Sequence, residues 1–426
     1  MRKLSLIAAL LAMPLASASA TTINILMEGV PDTRYVQEML AEFTQKTGID
    51  VQVEVVNYAE MHTKLVPQLV APTGSYDVIV VDFYWVGEFT KAGWLQPLDD
   101  RIKADGIDTS VYVPALMDLV GRVNGTTYML PFYNYAMGLT YRKDMLEDPK
   151  EKEAFKAKYG IDLKVPTSWD EYEKQVEFFT RDTDGDGKAD FYGVVNQGLR
   201  PDPIAMEWSN YLFANGGRYY GDSWVPELTS DAAVKAVEDY RNGVQKFGPV
   251  GSASFSFDEA FNVAAQGKAY SYITYNMFRP VYDDPKSSSV VGKMEITPVP
   301  GGGLNGAWGW AIPKSSPDPE AAWTFIKFIE SPEITKKRAM LGGAPTRFDV
   351  FADPELNAKY SYFPQLKALL ETSHNFPVFT YTPQFVEVLG RELSLAVTDE
   401  KPAKDALQTA NDELAALLKK DGKLQQ

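Results

Sequence analysis

The segment from Thr22 to Asp82 constrains the fold most, because three strand-like runs alternate there with two helical patterns. TTINILM sets Ile23, Ile25 and Met27 in alternation with partly polar neighbours, as a half-buried strand does. Asp32 opens a helical pattern with Tyr35, Val36, Met39, Leu40 and Phe43 on one face, and Gly48 is placed to end it. DVQVEVV alternates Val51, Val53 and Val55. A helix through Met61, Leu65 and Leu69 follows, interrupted or ended near Pro67. DVIVVD, from Asp77 to Asp82, is a continuous apolar run bounded by acids, which suits a strand buried on both faces of a parallel sheet. This order predicts an α/β sheet with right-handed crossovers.

The same alternation resumes further on. Strands are expected near residues 127–132 and 137–143, in DFYGVVNQ, in AYSYITYN and in MEITPVP. Helices are expected over roughly 151–159, 168–180, 203–214, 231–247 and 401–420. With 426 residues and no internal repeat or long linker, two α/β lobes with a helical end is the economical reading.

MRKLSLIAALLAMPLASASA has the form of a secretory leader: Arg2 and Lys3, a short apolar core, then Ala18-Ser19-Ala20. The apolar run falls short of the roughly 20 residues a spanning helix needs. Cleavage after Ala20 is expected, releasing the chain to the periplasm or the exterior. Composition then excludes much chemistry. With no cysteine there are no disulfides, thiolate nucleophiles or Cys-bound zinc, and two histidines cannot build a multi-histidine metal site. A net charge of −15 repels phosphate backbones and points away from nucleic acid.

Few motifs remain. Gly301, Gly303 and Gly306 fit G-x-G-x-x-G, but the extended run AWGWAIP follows where a dinucleotide site needs a helix. DTDGDGKAD places Asp182, Asp184, Asp186, Lys188 and Asp190 at offsets 1, 3, 5, 7 and 9 of a calcium loop, with Gly187 at offset 6. Gly193 stands where a bidentate Glu belongs, so the segment reads either as one structural calcium site or as a metal-free acidic turn held by Asx hydrogen bonds. No cofactor is called for. The adjacent acids Asp99-Asp100 and Asp283-Asp284 do not make a glycosidase pair, which needs two acids facing each other across a substrate. Aromatic rings gather at expected strand ends instead: Phe83, Tyr84 and Trp85 after DVIVVD, Tyr133 and Tyr135 between strands, Trp308 and Trp310 after the glycine turn. In α/β sheets ligands bind at the carboxyl ends of strands, and flat rings suit the C–H faces of sugars.

Several segments in fixed order carry a resemblance. They are the first strand running into Glu28-Gly29; YDVIVVD with its aromatics and then AGWLQPLDD; and YMLPFYNYAMGLTYRKDML. VPTSWDEYEK, AWGWAIPKSSPDPEAAWTFIKFI and GGAPTR follow. Over essentially the whole mature chain the sequence resembles the family 1 extracellular solute-binding proteins of ABC importers, the maltose-binding-protein-like carbohydrate type. That resemblance implies a two-lobed α/β fold, each lobe a mainly parallel sheet flanked by helices, joined by three crossings around a ligand cleft that closes by hinge motion. The implied lobes are residues 21–134 with 299–345, and 135–298 with 346–426.

The resemblance also implies site residues from both lobes: Glu28, Asp82, Tyr84, Trp85, Tyr135, Gln197, Phe278, Trp308 and Arg347. Tyr135 stands where maltodextrin-binding relatives have an acid, a departure that counts against an α-glucan. The implied function is an extracytoplasmic substrate-binding protein, monomeric, delivering a sugar or oligosaccharide to an ABC permease without chemistry on it. The same fold binding a polyol or a glycerol phosphate is the alternative, with Arg200, Arg218, Arg279 and Arg347 as loop candidates for a phosphate. A secreted carbohydrate-active enzyme is the rival from another class.

Overall fold

The first three strands form where the alternation places them. In the computed structural model, which describes residues 21–424, β1 (Thr22–Glu28) lies between β2 (Asp50–Val56) and β3 (Val78–Asp82), parallel to both. The expected leader lies outside the described residues. β3 is buried along its whole length, as its uninterrupted apolar run requires. The helix before β2 ends at Gly48, whose φ of +73° lets its N–H reach back to Thr44 O. Pro67 does not interrupt the next helix, which runs Tyr58–Val70. It sits in the last turn, so the i to i−4 bond it removes is among the last of the helix, which ends three residues later at Val70.

The expected strand at 127–132 divides in two. β4 (Arg122–Val123) and β5 (Thr126–Thr127) form a hairpin, and β6 (Leu130–Asn134) begins three residues later. The remaining strands are β7 (Met137–Arg142), β8 (Tyr192–Val195), β9 (Ala269–Tyr275), β10 (Met294–Thr297) and β11 (Ala307–Ala311). They build a five-stranded sheet in the order β2-β1-β3-β11-β6 and a four-stranded sheet in the order β10-β7-β9-β8. In the first sheet only β11 is reversed, and in the second only β7, so each sheet is mainly parallel in direction. The later helices keep their expected places, for example Trp169–Phe179, where Ser168 Oγ accepts from Glu171 N, and Ala403–Lys420. The helical run expected over 231–247 is an α-helix only to Asn242 and closes with a π-turn over Gly243–Phe247.

The chain passes from the first sheet to the second between β6 and β7, using only Tyr135 and Ala136, and returns between β10 and β11. The two crossings lie side by side. Tyr135 N donates to Gly306 O at 2.7 Å and Met137 N to Leu304 O at 2.8 Å. The triple glycine serves this contact. Gly301 and Gly302 have φ of +88° and +96°, and a Cβ at Gly303 would collide with Met137 O. A third passage follows the helix Pro332–Met340 and leads to the C-terminal helices, of which Thr382–Val397 packs on Asp202–Ala214 in the second lobe.

Under the first sheet sits a buried ion pair. Glu330 accepts from Trp310 Nε1 at 2.9 Å and from Arg338 Nη2 at 2.7 Å, and Tyr112 OH approaches its other oxygen. Both Glu330 and Arg338 are buried, so each charge depends on the other. Glu330→Ala would strand the guanidinium, and urea unfolding should show a loss of roughly 3–5 kcal/mol.

Candidate functional site

The parallel strands β1 and β3 end at the same sheet edge, at Glu28 and Asp82. β11 starts at that edge, with Trp308 paired opposite Asp82. The aromatics after β3 are not a loop: Phe83 begins the helix Phe83–Lys91 directly. Helical rotation therefore sends neighbouring rings in different directions. Phe83 and Tyr84 face a cavity between the lobes, while Trp85 turns back to stack on Tyr58 at 5.9 Å and to meet Trp308 edge-on at 5.4 Å.

The second lobe supplies the opposite wall. It comprises residues 199–203 at the start of the helix Asp202–Ala214, the start of the helix Phe257–Ala265, Tyr275 at the end of β9 and Met277 just beyond it. Together with Glu28, Tyr58, Asp82, Tyr135 and Trp308 these enclose about 350 Å³, near the small end of ligand-site volumes.

Each first-lobe acid near this cavity is steadied by a tyrosine hydroxyl. Tyr133 OH donates to Glu28, Tyr58 OH to Asp82, and Tyr135 OH to Asp32, each at 2.9 Å. Burial still dominates: it pushes Glu28 up to about 7 and Asp202 up to about 6, and holds Asp82 well above the carboxylate range. The tyrosine bonds and the neighbouring acids act against and with that effect respectively. Two buried polar atoms of the cavity residues have no partner, Asp82 Oδ1 and Tyr84 OH. Unpaired buried atoms of this kind are costly, and they are what a hydroxyl-bearing ligand would satisfy.

Of the residues named from the sequence, Glu28, Asp82, Tyr84, Tyr135 and Trp308 line one cavity. The other four do not. Trp85 stands behind Trp308 and Tyr58. Gln197 is fully buried, donating to Pro203 O and accepting from Tyr272 OH, so it shapes the 199–203 segment from beneath. Phe278 stacks on Phe261 at 4.8 Å in the second-lobe core. The 3₁₀ turn Asn276–Phe278 presents Met277 to the cavity instead, a displacement of one residue. Arg347 is tied to Asp349 by two hydrogen bonds and to Glu330 O by a third, next to the buried ion pair. Reading from the sequence missed Tyr58, Asp202, Met206, Phe257, Tyr275 and Met277. Asp202 carried one usable signal, an acid between two prolines at the start of a helical pattern.

In the acidic loop, Asp182, Asp184 and Asp186 bring one carboxylate oxygen each within 4.8 Å of one another. Asp190 is not among them: it accepts from Thr183 N and Thr183 OH. Lys188 contributes its main-chain N–H to Asp186. The Asx bonds expected of an acidic turn are also present, with Asp182 accepting from Gly185 N and Gly187 N.

The family model for bacterial extracellular solute-binding proteins matches residues 29–336. A solute-binding protein of an ABC transporter from Agrobacterium radiobacter K84, solved with ribitol, superimposes with a TM-score of 0.81 at 28% identity, over 93% of this chain and 98% of that one. The mannitol-binding protein of Pseudomonas aeruginosa is 24% identical over 99% of this chain and 98% of its own. A probable amino-acid ABC transporter periplasmic-binding protein of Sinorhizobium fredii is 25% identical over 90% and 86%. Taken with the two-lobed fold and the cleft, these findings define an extracytoplasmic binding protein of the ABC-importer class, which carries solute and performs no catalysis. The chain belongs to the bacterial extracellular solute-binding protein family.

A pH dependence follows from the cavity acids. Glu28 and Asp202 bind protons more tightly folded than unfolded, so the ligand-free protein loses stability as pH rises from the ordinary carboxylate range through about 6 to 7. Thermal melts should give a lower Tm at pH 8 than at pH 5.5, and Glu28→Gln should shrink that difference.

Proposed function

We propose that the protein binds a polyol or a single sugar unit in the interlobe cavity and hands it to an ABC permease. The observation that carries this reading is the pair of unpartnered atoms, Asp82 Oδ1 and Tyr84 OH, in a small cavity walled by Trp308, Tyr275 and Phe257. Carboxylates and phenols answer hydroxyls, and rings cover C–H faces. The named ligands of two relatives, ribitol and mannitol, fit this chemistry. Among the described cavity residues the one base is Arg200, which is exposed, against Glu28, Asp82 and Asp202. That balance disfavours a glycerol phosphate and leaves an amino acid's carboxylate without a buried partner.

The remaining features of the reading are an export signal cleaved after Ala20, a monomer working in the periplasm or outside the cell, and no nucleic-acid partner. The proposed lobes are 21–134 with 299–345 and 135–298 with 346–426, closing on the ligand about the crossings. Asp182, Asp184 and Asp186, with the Lys188 main-chain carbonyl and Asp190 at the later offsets, are proposed to hold one calcium as a structural clamp in the second lobe. In calcium-loaded protein a chelator should lower Tm, and the Asp184→Asn, Asp186→Asn double variant should lose that response. An unchanged Tm would leave the acidic turn as the whole account.

Calorimetric titration against tetritols, pentitols, hexitols and hexoses tests the main reading, and a thermal shift should accompany binding, about 2.7 kcal/mol at 100 Kd. Trp308→Ala should cost about tenfold or more in affinity through lost ring contact. Phe278→Ala should instead cost roughly 3–5 kcal/mol of stability, because that ring is core. Binding of none of these solutes would sink the reading.

A further inference from the structure

Three carboxyl groups line the cavity between the lobes, Glu28 and Asp82 from the first and the half-buried Asp202 from the second. A tyrosine hydroxyl donates to each of the first two, whereas the Asp202 carboxyl takes no hydrogen bond from any described residue. None of the three forms an ion pair with a described lysine, arginine or histidine. Arg200, on the same wall as Asp202, is exposed. Elsewhere the fold answers its buried acids. Glu330 has Arg338, and Glu392 has Arg391 and Lys401. Glu207 lacks a cation but accepts from Gln197 N, Asn196 Nδ2 and Tyr240 OH. Removing a carboxylate from water without such partners is costly, so the missing positive charge is something a ligand can supply.

Asp202 opens the helix Asp202–Ala214, on the wall opposite Asp82. Burial, and after it the charge of Glu387, pushes its carboxyl up to about 6. Asp82 and Asp202 also act together on the phenols of Tyr58, Tyr84 and Tyr275, which burial first and negative charge after it hold well above the ordinary phenol range. Two acids and three phenols therefore lie within electrostatic reach of one another around one cavity. Asp82 is 3% exposed and Tyr84 4%, and Asp82 Oδ1 and Tyr84 OH have no protein partner. Negative potential beside electron-rich rings is a setting that holds an ammonium. A neutral polyol would close Asp202 into the cleft as an uncompensated charge or force a proton onto it, whereas an ammonium compensates the charge in place.

We propose that the solute is a polyol or sugar carrying a primary ammonium, with Asp202 as its counter-ion and Glu28 and Asp82 left for its hydroxyls. The inference rests on the polyol-or-sugar reading above and adds the charge of the ligand. Because Asp202 belongs to the second lobe and the other two acids to the first, one molecule draws on both walls at once. Asp202 is then the residue that separates an amino-bearing solute from a neutral parent of nearly the same size.

The test is calorimetric titration of the full chain at pH 7 with the panel of tetritols, pentitols, hexitols and hexoses, and with the same compounds in which a primary ammonium replaces one hydroxyl. At that pH Asp202 is mainly ionised, and an alkylamine, like a lysine at about 10.4, keeps its proton. At least one amino compound should bind about tenfold or more tighter than its neutral parent, the worth of one charge-assisted hydrogen bond. Asp202→Asn, with Asp202→Ser as a second variant and each confirmed folded by circular dichroism, should erase that ratio, whatever it does to either affinity alone. If neutral members bind and no amino compound exceeds its parent, the ammonium is overturned while the polyol-or-sugar reading stands. A ratio that survives in both folded variants overturns Asp202 as the counter-ion. If neither set binds the wild type, the polyol-or-sugar reading falls and this proposal with it.

Discussion

Two backbone segments that cross between the sheets hold the rest of the architecture in place. Residues 134–137 and 303–306 run beside each other, joined by Tyr135 N to Gly306 O and Met137 N to Leu304 O. Asn276 adds to the seam from the second lobe, through its N–H to Ala136 O and its side-chain amide to Asn134 Oδ1. Because Gly303 has no Cβ, the segments can approach this closely. The seam fixes where β6 and β11 leave the first sheet, and so where Tyr135 and Trp308 stand. A cleft at the carboxyl ends of β1 and β3 follows from that placement.

The electrostatics of the cleft follow from the same geometry. Three acids of the first lobe, Glu28, Asp32 and Asp82, sit close together at its inner face, and burial disfavours their charged forms. Each has a tyrosine hydroxyl donating to one oxygen. Tyr133 and Tyr58 come from β6 and the helix Tyr58–Val70, so Glu28 and Asp82 are oriented from within their own lobe, while Tyr135, which holds Asp32, comes from the crossing. Asp82 keeps its other oxygen unpartnered. With burial holding the carboxyl neutral and Tyr58 OH on the first oxygen, that second oxygen can carry the proton, and in a low-dielectric cavity one added hydrogen bond counts for more than in water.

The closure proposed above would link this chemistry to transport. The cavity walls belong to different lobes, so a ligand touching Trp308 and Tyr275 at once favours the state in which both are near. Away from the cavity, Gly87 on the helix Phe83–Lys91 packs directly against the backbone of Phe379, and Tyr84 meets Phe376 edge-on at 5.4 Å. The ring that offers its hydroxyl to the cavity thus also abuts the segment leading to the C-terminal helices. Binding and lobe contact share one side chain.

What the sequence by itself determined is the layered fold and the inner edge of the site. Alternation in TTINILM and DVQVEVV and the bounded run DVIVVD specify strands, and strands ending in Glu28 and Asp82 put acids at a ligand edge by local rules alone. The direction of side chains within short helical turns was not legible. Trp85 and Phe278 look as suitable as Tyr84 and Met277 in one dimension, yet a rotation of about 100° per residue decides which ring meets the cavity and which the core. Arg347 and Gln197 were lost for a related reason: beside the chain-local partners Asp349 and Pro203 O, their other partners, Glu330 O and Tyr272, lie close only once the chain is packed. Tyr58 and Tyr275 were invisible because they come from separate segments that share no pattern, and the one local signal at Asp202, its flanking prolines, says nothing of what it faces. Only the tertiary structure decided that wall, since it exists where two lobes meet and chain neighbours carry no record of contacts between lobes.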